Sequence, residues 1–300
     1  MTHFLVLGSS GQVASAIARR FVSLGRKTTV LGRSELDLSN PIAAREAVLR
    51  LAPDFVINAA AYTAVDRAET EVDAVFALNA TGPAAAAAAA AEIGAPFVHF
   101  STDYVFDGTK GSPYVETDTP RPLGVYGRSK LEGEQSIAAA NPRHVILRTS
   151  WVCSPTGANF LRTMLRLAAE QEELGVVDDQ RGCPAFARDL AEGVMTVVDR
   201  LAEQPPESPW GVYHLTGAGD TTWCGFAKAI MAGSASRGGP SAHVNPITTA
   251  DYPTPVTRPA DSRLDCTRIE TVYGIKPRLW NYALDQALDE ILGAEKELRP

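Results

Sequence analysis

Short, continuous apolar runs alternate with helical patterns through the first half of the chain, and this alternation constrains the fold more than any other feature. Runs of this kind are typical of strands that are buried on both faces of a parallel sheet. The order strand, helix, strand therefore predicts a doubly wound α/β domain. The predicted strands cover residues 4–7, 28–31, 55–57, 97–100 and 145–147, and the predicted helices cover residues 12–24, 42–51, 82–92 and 126–140.

The pattern is looser after about Trp151. Helices are predicted at residues 159–170, 188–202 and 280–292, with another from Thr221 or Thr222 to Met231, and a strand at residues 211–215. Residues 204–209, 234–240 and 251–259 are predicted to be loops or linkers. We therefore predict a Rossmann-type doubly wound parallel sheet at residues 1–150 and a smaller, discontinuous C-terminal lobe at residues 151–300. That lobe would mainly bind the substrate, and some of its segments would return to the first domain.

Composition and charge argue against several classes of function. The net charge is −7 and no dense basic cluster offsets it, which argues against general nucleic-acid binding. The four cysteines are scattered without a C-x-x-C pair, so we expect neither a disulfide framework nor a zinc site. The chain opens into a strand rather than a signal peptide, and the alanine run at residues 84–91 is too short to cross a bilayer. These features predict a cytoplasmic protein that binds neither nucleic acid nor membrane.

A glycine-rich turn follows the first predicted strand and opens the first helix. Gly8 would allow the tight turn, and Gly11 would let the backbone approach a pyrophosphate at the positive end of the helix. This context predicts that the first domain binds NAD(P). The alternative is a plain turn between a strand and a helix, where glycine is also common. The predicted contacts are Gly8, Ser10, Gly11, Gln12 and Val13.

The end of the second predicted strand distinguishes between the two nicotinamide cofactors. NAD enzymes commonly place an acid there to bind the ribose 2′-hydroxyl, but here the strand ends with Gly32-Arg33-Ser34. A guanidinium group fits a 2′-phosphate well, so Arg33 favours NADPH, with NADH as the other candidate. A solvated surface arginine is the alternative interpretation. Asp37 and Leu38 follow closely and are predicted to contact the adenine, although Asp37 would also suit the start of a helix.

Small residues follow the third predicted strand, at the edge where open α/β sheets bind ligands. They would let a bulky cofactor pass close to the backbone, although alanine also serves tight helix packing. Asn79 lies between two helical stretches and is predicted either to contact the cofactor or to fix the local bend. The predicted contacts after the third strand are Ala59, Ala60, Ala61, Tyr62 and Thr63.

Three residues form a candidate catalytic set. Tyr126 and Lys130 share one helix face, so the ammonium could bring the phenol pKa, about 10 when free, closer to neutrality. Thr102 follows a predicted strand, and its hydroxyl could hold the same substrate oxygen that Tyr126 protonates. The set predicts a nicotinamide-dependent reductase. The alternatives are a chance tyrosine–lysine pair on an exposed helix and a simple strand-end turn.

Together these strings resemble the extended short-chain dehydrogenase/reductase family over nearly the whole chain. The most specific are S-T-D-Y-V-F-D-G at residues 101–108, Y-G-R-S-K at residues 126–130, and the strings at residues 56–66, 148–152, 178–184, 213–217 and 258–265. The resemblance implies a reductase of keto-sugar nucleotides that uses NADPH. Tyr126 would protonate the keto oxygen, Thr102 would bond it, and Lys130 would hold the nicotinamide ribose and lower the pKa of Tyr126. The implied substrate site contains Val65, Thr102, Asp103, Tyr104, Tyr126 and Trp151.

The chain departs from the pattern of this family at three places. Ala14 replaces the last glycine of the fingerprint, and Pro184-Ala185-Phe186 replaces a usual proline–threonine step in the substrate pocket. Some members form metal-bridged dimers through a glutamate on the first helix, but residues 13–16 contain no acid. We therefore predict no metal site, and a monomer or a homodimer.

Three other functions remain open from the sequence. The first is a related reductase that acts on a different 4-keto-6-deoxysugar nucleotide. The second is an epimerase or dehydratase, which would retain tightly bound NAD, whereas a reductase must exchange its cofactor at each turnover. The third is a non-catalytic, nucleotide-binding regulatory subunit, which would not need Thr102, Tyr126 and Lys130.

Overall fold

The computed structural model describes residues 1–203 and 209–297. The strands are β1 (His3–Leu7), β2 (Lys27–Leu31), β3 (Phe55–Asn58), β4 (Phe97–Thr102), β5 (His144–Thr149), β6 (Val152–Cys153), β7 (Glu173–Val177), β8 (Arg181–Gly182), β9 (Ala185–Phe186), β10 (Gly211–His214), β11 (Thr221–Thr222) and β12 (His243–Ile247). The helices are α1 (Gln12–Ser23), α2 (Pro41–Leu51), α3 (Val65–Ala68), α4 (Val72–Phe76), α5 (Gly82–Glu92), α6 (Val125–Ala140), α7 (Phe160–Ala168), α8 (Ala187–Glu203), α9 (Trp223–Ala235), α10 (Thr267–Tyr273) and α11 (Trp280–Glu297). A π-helical turn lies at Ala77–Thr81, and 3₁₀ turns lie at Asp103–Val105 and Thr249–Asp251.

A six-stranded parallel sheet forms the centre of the larger lobe. Its strand order is β2-β1-β3-β4-β5-β10, which confirms the predicted doubly wound α/β fold. The edge strand β10 comes from the second half of the chain and pairs with β5. A segment well beyond residue 150 therefore completes the first sheet.

The side chains of β1 alternate between two hydrophobic cores, one on each face of the sheet. Phe4 and Val6 belong to the core that α1, α8 and α10 cover. Leu5 and Leu7 belong to the core that α2, α5 and α6 cover. Both faces are therefore buried, which explains why the strands are continuous apolar runs instead of alternating ones.

The smaller lobe has its own core, formed by α7, α9 and α11 together with the parallel pair β7–β12. Thr222 caps α9 by accepting a hydrogen bond from the Gly225 nitrogen at 2.9 Å, in line with the prediction of a cap at Thr221 or Thr222. The short strand β6 follows β5 directly and pairs with β9, which directly precedes α8. This pair marks where the chain leaves the sheet and where it returns to it.

Several short elements were not predicted from the sequence. They are α3, α4, the π-helical turn, α10 and the strands of the three two-stranded pairs. Segments of two to seven residues are too short to show a reliable period. The predicted linker at residues 234–240 begins too early, since α9 continues to Ala235. Of the predicted loop at residues 204–209, all but Pro209 lies outside the described residues.

One helical stretch, Val72–Glu92, is long and apolar enough to cross a membrane by length and composition alone, which the sequence analysis did not anticipate. It combines α4, the π-helical turn and α5. Half of the most apolar 18-residue part of this stretch is buried inside the protein. Its second helix, α5, packs between α2 and α6. Its apolar character is therefore accounted for by its position in the core.

Gly133 of α6 lies so close to the π-helical turn that a methyl group there would be 2.1 Å from the Asn79 carbonyl oxygen. We expect Gly133→Ala to lower the free energy of unfolding by about 1–3 kcal/mol, because one of the two backbones must move. The control is Gly293→Ala on α11, where a methyl group meets no atom within 4 Å, and where alanine should stabilise by about 0.5–1 kcal/mol. Urea unfolding measures both changes, and equal stability of the two variants would contradict the close contact.

Candidate active site

A crevice lies at the carboxyl edge of the sheet, between β1 and β3. The chain leaves β1 through α1 on one face and leaves β3 through α5 on the other, so the two connections diverge. Gly8 ends β1 with φ at +105°, and a methyl group there would lie 3.1 Å from the Ala60 nitrogen. The ends of the two strands therefore approach closely, and glycine permits both the backbone angle and the contact.

The first turn of α1 faces this crevice. Its N-cap is Gly11, which offers no side chain to bond the N–H groups of the turn. Such a helix start is suited to bind a pyrophosphate. Ala14 is buried, and its methyl carbon lies 3.3 Å from where a Gly8 side chain would begin. Alanine thus fits beside the glycine turn in place of the third glycine.

Gln12 connects the two lobes at the same position. Its Nε2 donates to the Val152 carbonyl oxygen at 3.3 Å, and its Oε1 accepts from Asn159 Nδ2 at 2.9 Å. Asn159 in turn caps α7 by accepting from the Arg162 nitrogen at 3.0 Å. Gln12 lines the crevice, but its amide group is used to hold the second lobe against α1.

The tip of β2 carries the predicted arginine and also an acid that the sequence analysis did not place there. Arg33 is exposed and lines the crevice. Glu35 turns back towards the strand, and its carboxylate accepts from the Ser34 hydroxyl at 2.7 Å and from the Gly32 nitrogen at 2.9 Å. These hydrogen bonds lower the pKa of Glu35. The strand tip therefore holds both a guanidinium and an ionised carboxylate, of which only the guanidinium lines the crevice.

The segment after β3 follows the prediction except at Asn79. Residues 59–63 line the crevice. Asn79 is fully buried, and its Oδ1 accepts from the Tyr62 nitrogen at 2.8 Å. Its Nδ2 donates to the Tyr62 carbonyl oxygen at 3.1 Å and to Ser129 Oγ at 3.0 Å. Asn79 does not line the crevice, contrary to the predicted cofactor contact, because its amide group is engaged in fixing the backbone of Tyr62.

Thr102 at the end of β4 and Tyr126 in the first turn of α6 both line the crevice. Thr102 Oγ1 donates to Asp103 Oδ1 at 3.0 Å and accepts from the Tyr104 nitrogen at 3.2 Å. The helix approaches this closely because Gly127 packs on the Tyr104 carbonyl oxygen, where a methyl group would be only 2.2 Å away. Burial raises the pKa of Tyr126 well above its usual value, so the phenol is neutral and able to donate a proton.

The Lys130 ammonium was expected to lie near the Tyr126 phenol, but its hydrogen-bond contacts are with other residues. Its Nζ donates to the Phe100 carbonyl oxygen at 2.6 Å and lies 3.2 Å from His99 Nε2. Burial lowers the pKa of Lys130 to about 8, against an upward pull from Glu134. Lys130 is not among the groups that shift the pKa of Tyr126, which rises instead of falling.

A buried ion pair supports the floor of the crevice. Arg148 on β5 donates from Nε to Glu134 Oε1 at 2.9 Å and from Nη2 to Oε2 at 2.6 Å. Ser101 donates to the same carboxylate at 2.5 Å. Glu134 is one helical turn beyond Lys130, so this two-pronged pairing holds α6 against β4 and β5.

The smaller lobe supplies an aromatic wall. Trp151 stacks on Trp223 with ring centroids 3.6 Å apart, and Phe160 lies against Trp223 at 4.6 Å. Trp151 also adopts φ of +46°, a strained value for a bulky residue. Gly182 lies against its ring, with a methyl position 2.4 Å away. Packing from Trp223 and Gly182 therefore fixes this side chain in its orientation.

Arg258 reaches the crevice from a distant part of the chain. It pairs with Asp66 at 3.1 Å, and its charge acts to lower the pKa of Tyr104 against the larger effect of burial. The sequence analysis assigned no role to Arg258, Trp223 or Phe160. These residues are far from the catalytic set in the sequence, so their proximity could not be predicted. Arg258 could have been noticed, because it precedes a proline in the string at residues 258–265 that resembles the family.

These walls enclose one cavity of about 860 Å³. It runs from the glycine turn, past Thr102, Tyr126 and Lys130, to the aromatic wall. The geometry thus brings the predicted residues together, Asn79 excepted, while the contacts each makes with a ligand stay a prediction. Those that line the cavity are Gly8, Ser10, Gly11, Gln12, Val13, Arg33, Asp37, Leu38, Ala59, Ala60, Ala61, Tyr62, Thr63, Val65, Thr102, Asp103, Tyr104, Tyr126, Lys130 and Trp151.

Comparison with known proteins identifies relatives along nearly the whole chain. The RmlD substrate binding domain family matches residues 1–292. A dTDP-4-dehydrorhamnose reductase from Sinorhizobium fredii is 46% identical over 278 residues, 92% of this chain and 93% of that protein. A dTDP-4-dehydrorhamnose reductase structure from Clostridium acetobutylicum has a TM-score of 0.90 at 36% identity, covering 97% of this chain and 99% of that one. One from Bacillus anthracis, in complex with NADP, has a TM-score of 0.88 at 32% identity, covering 97% and 100%.

Asp103 makes the stability of the site depend on pH. Burial raises its pKa from 3.8 to about 6, against the hydrogen bond that Asp103 accepts from Thr102. A raised native pKa stabilises the fold below about pH 4, and this contribution is lost as the pH rises through about 6. We expect Asp103→Asn to be more stable than the parent at pH 8, by at most about 3 kcal/mol, with a much smaller difference at pH 4.

Urea unfolding of both proteins at the two pH values measures this difference. Because the other titrating groups are common to the two proteins, their contributions cancel in the comparison. A stability difference that is the same at pH 4 and pH 8 would contradict the raised pKa of Asp103.

Proposed function

The chain belongs to the RmlD substrate binding domain family, and on that premise we propose that it reduces the C4 keto group of dTDP-4-dehydro-L-rhamnose to give dTDP-L-rhamnose, using NADPH. The relative from Sinorhizobium fredii is a dTDP-4-dehydrorhamnose reductase, and one related structure holds NADP. The proposed partners are therefore a nucleotide sugar and a nicotinamide cofactor, and the proposed location is the cytoplasm.

The observation that carries this proposal is the single continuous cavity. It places a glycine turn and an uncapped helix start at one end, a threonine–tyrosine pair in the middle and an aromatic wall at the other end. A dinucleotide fits the first part, because the Gly8 approach to Ala60 leaves the backbone open to a pyrophosphate. A sugar nucleotide fits the remainder, where a stacked indole pair offers a flat surface for a ring.

Tyr126 is the proposed proton donor. NADPH, when bound, supplies the hydride that reaches the keto carbon. The keto oxygen then takes the Tyr126 proton and becomes the hydroxyl of the product. The raised pKa of Tyr126 keeps it protonated until negative charge develops on that oxygen. Thr102 lines the same cavity as the phenol and would hold the same oxygen.

The other predicted residues have proposed roles at the two ends of the cavity. Lys130 would contact the nicotinamide ribose from the floor. Arg33 would bind the 2′-phosphate at the tip of β2, with Asp37 and Leu38 beside the adenine. The substrate side would be formed by Val65, Asp103, Tyr104 and Trp151, to which the structure adds Trp223 and Arg258. Arg258 supplies a positive charge close to Tyr104, which suits a diphosphate.

An epimerase that keeps its cofactor is the second candidate, since the threonine, tyrosine and lysine set would serve it equally. Stoichiometry separates the two functions. A reductase consumes one NADPH for each sugar reduced and releases the oxidised cofactor, whereas an epimerase shows no net oxidation. A regulatory subunit would bind nucleotide without changing the sugar.

Replacement of Tyr126 tests the proposed proton donor. We expect Tyr126→Phe to slow NADPH oxidation with dTDP-4-dehydro-L-rhamnose by about 10²–10⁴-fold, because the keto oxygen loses its acid. Affinity for NADPH, measured by fluorescence, should be retained. The control is Tyr282→Phe, which removes a hydroxyl from an exposed side chain outside the cavity. Near-normal turnover by Tyr126→Phe would refute the assignment.

Arg33 tests the cofactor preference. We expect Arg33→Ala to raise the KM for NADPH about tenfold to a hundredfold, because a charge-assisted contact to the 2′-phosphate is lost. The KM for NADH should change little. Arg50→Ala, an exposed arginine in the last turn of α2, is the control for a general loss of positive charge. An equal change with both cofactors would show that Arg33 does not read the phosphate.

A further inference from the structure

One carboxylate just outside the cavity has no role in the mechanism above. Glu69 directly follows α3 and is half-buried. Its Oε1 accepts from the Val125 nitrogen at 2.6 Å, a contact between residues 56 positions apart in the chain. Val125 is the first residue of α6, and Tyr126 is the second. The carboxylate therefore binds the peptide group directly before the proposed proton donor.

The start of α6 depends on this contact because its own residues supply no cap. The N-cap is Gly124, which has no side chain, and the first turn contains no acidic residue. A methyl group on Gly124 would lie 2.8 Å from Glu69 Oε1, so even alanine at the N-cap would crowd the carboxylate. The helix is therefore capped by a carboxylate on a different element, whereas a local cap would move with the helix.

Glu69 also connects α6 to the wall of the cavity. The short helix before it begins at Val65, which lines the cavity. The second residue of that helix, Asp66, pairs with the cavity-lining Arg258 at 3.1 Å. One turn of helix therefore separates the wall of the cavity from the side chain that holds the start of α6.

Apolar packing alone does not determine the position of Tyr126 along the axis of α6. Val125 is buried against Ala68 and Val75, and Tyr126 packs against the same cluster. Such contacts are non-directional, so they tolerate a small slide of the helix. The hydrogen bond to Glu69 does not tolerate it, because a hydrogen bond weakens steeply when its geometry changes.

Other polar contacts hold α6 further along its length. Asn79 donates to Ser129 at 3.0 Å, and Arg148 pairs with Glu134 at 2.6 Å. Both contacts lie beyond Tyr126, and the ends of a helix fray more easily than its body. They therefore fix the body of α6, whereas Glu69 fixes its first turn.

We propose that Glu69 is a positioning residue that holds Tyr126 where it delivers its proton. The proposal rests on the proposed function, since Tyr126 is taken there as the proton donor. Proton transfer requires the phenol oxygen within about 2.6–3.2 Å of the keto oxygen, and a misplacement of about 1 Å can slow a reaction about a hundredfold. Without its acceptor, the partly buried Val125 N–H has to find water, which displaces the first turn of α6.

Two variants separate the reach of the Glu69 side chain from its charge. Glu69→Gln keeps an oxygen at the same reach without the charge, so we expect kcat for NADPH oxidation with dTDP-4-dehydro-L-rhamnose to stay within about threefold of the parent. Glu69→Asp keeps the charge but is one methylene shorter, so kcat should fall about tenfold to a hundredfold. The KM values for the sugar and for NADPH should change less than about threefold, because Glu69 does not line the cavity.

Asp265→Ala is the matched control for a lost helix cap. Asp265 Oδ1 accepts from the nitrogen of Thr267, the first residue of α10, at 2.7 Å, and Asp265 does not line the cavity. We expect this variant to lower the midpoint of urea unfolding, as Glu69→Asp does, but to keep the kcat of the parent. A normal kcat in Glu69→Asp would overturn the proposal, as would equal losses in the Gln and Asp variants or an equal loss in Asp265→Ala.

Fluorine nuclear magnetic resonance reports the surroundings of Tyr126 without turnover. With 3-fluorotyrosine at the eight tyrosines, Tyr126→Phe identifies the Tyr126 signal. We expect this signal to shift in Glu69→Asp and to match the parent in Glu69→Gln and Asp265→Ala. The same signal in all of these proteins would overturn the proposal. If the parent does not oxidise NADPH with this sugar, the proposed function fails, while the fluorine signal still decides whether Glu69 positions Tyr126.

Discussion

The close approach of the β1 and β3 ends is the constraint on which the rest of the site depends. Parallel strands whose connections diverge leave a crevice, but the crevice holds a cofactor only if the strand ends carry almost no side chain. Gly8 meets that condition with a positive φ, which glycine adopts without strain, and with an approach to Ala60 that a larger residue would crowd. The small residues after β3 extend the crevice along the sheet edge. Asn79 fixes the backbone of this segment by hydrogen bonds to both the nitrogen and the carbonyl oxygen of Tyr62.

The same edge gathers ionisable groups away from water, and their charges are controlled by pairing or by burial. Glu134 and Arg148 form a two-pronged ion pair although both side chains are almost inaccessible. Asp103, Tyr126 and Lys130 have no opposite charge in direct contact, so burial moves each of them towards its neutral form. Of these groups, Tyr126 keeps its proton at neutral pH, which acid catalysis requires.

The sequence predicted the sheet and its ligand-binding edge better than it predicted which partners the side chains at that edge contact. Continuous apolar runs and the residues that begin and end helices are local signals. From these signals Thr102, Tyr126 and the glycine turn were correctly predicted to lie at one edge of the sheet, where they line one cavity. For Asn79 the sequence left two roles open, a cofactor contact or a fixed local bend, and only the structure shows it bonding the Tyr62 backbone. Glu35 was missed because its carboxylate folds back across three residues to reach Gly32. Lys130 shares a helix face with Tyr126, yet a carbonyl on another element takes its ammonium.

The substrate end of the cavity depends on how the two lobes meet. Trp151 follows β5 of the larger lobe, whereas its stacking partner Trp223 begins α9 of the smaller one. The Gln12 side chain on α1 is hydrogen-bonded to both Val152 and Asn159. These bonds connect the glycine turn to the segments that follow and precede the aromatic residues Trp151 and Phe160. A lobe shift of about 1 Å would change stacking and hydrogen bonds together, since such contacts lose strength within that distance. The shape of this end of the cavity therefore depends on the fit between the lobes, which no single sequence position encodes.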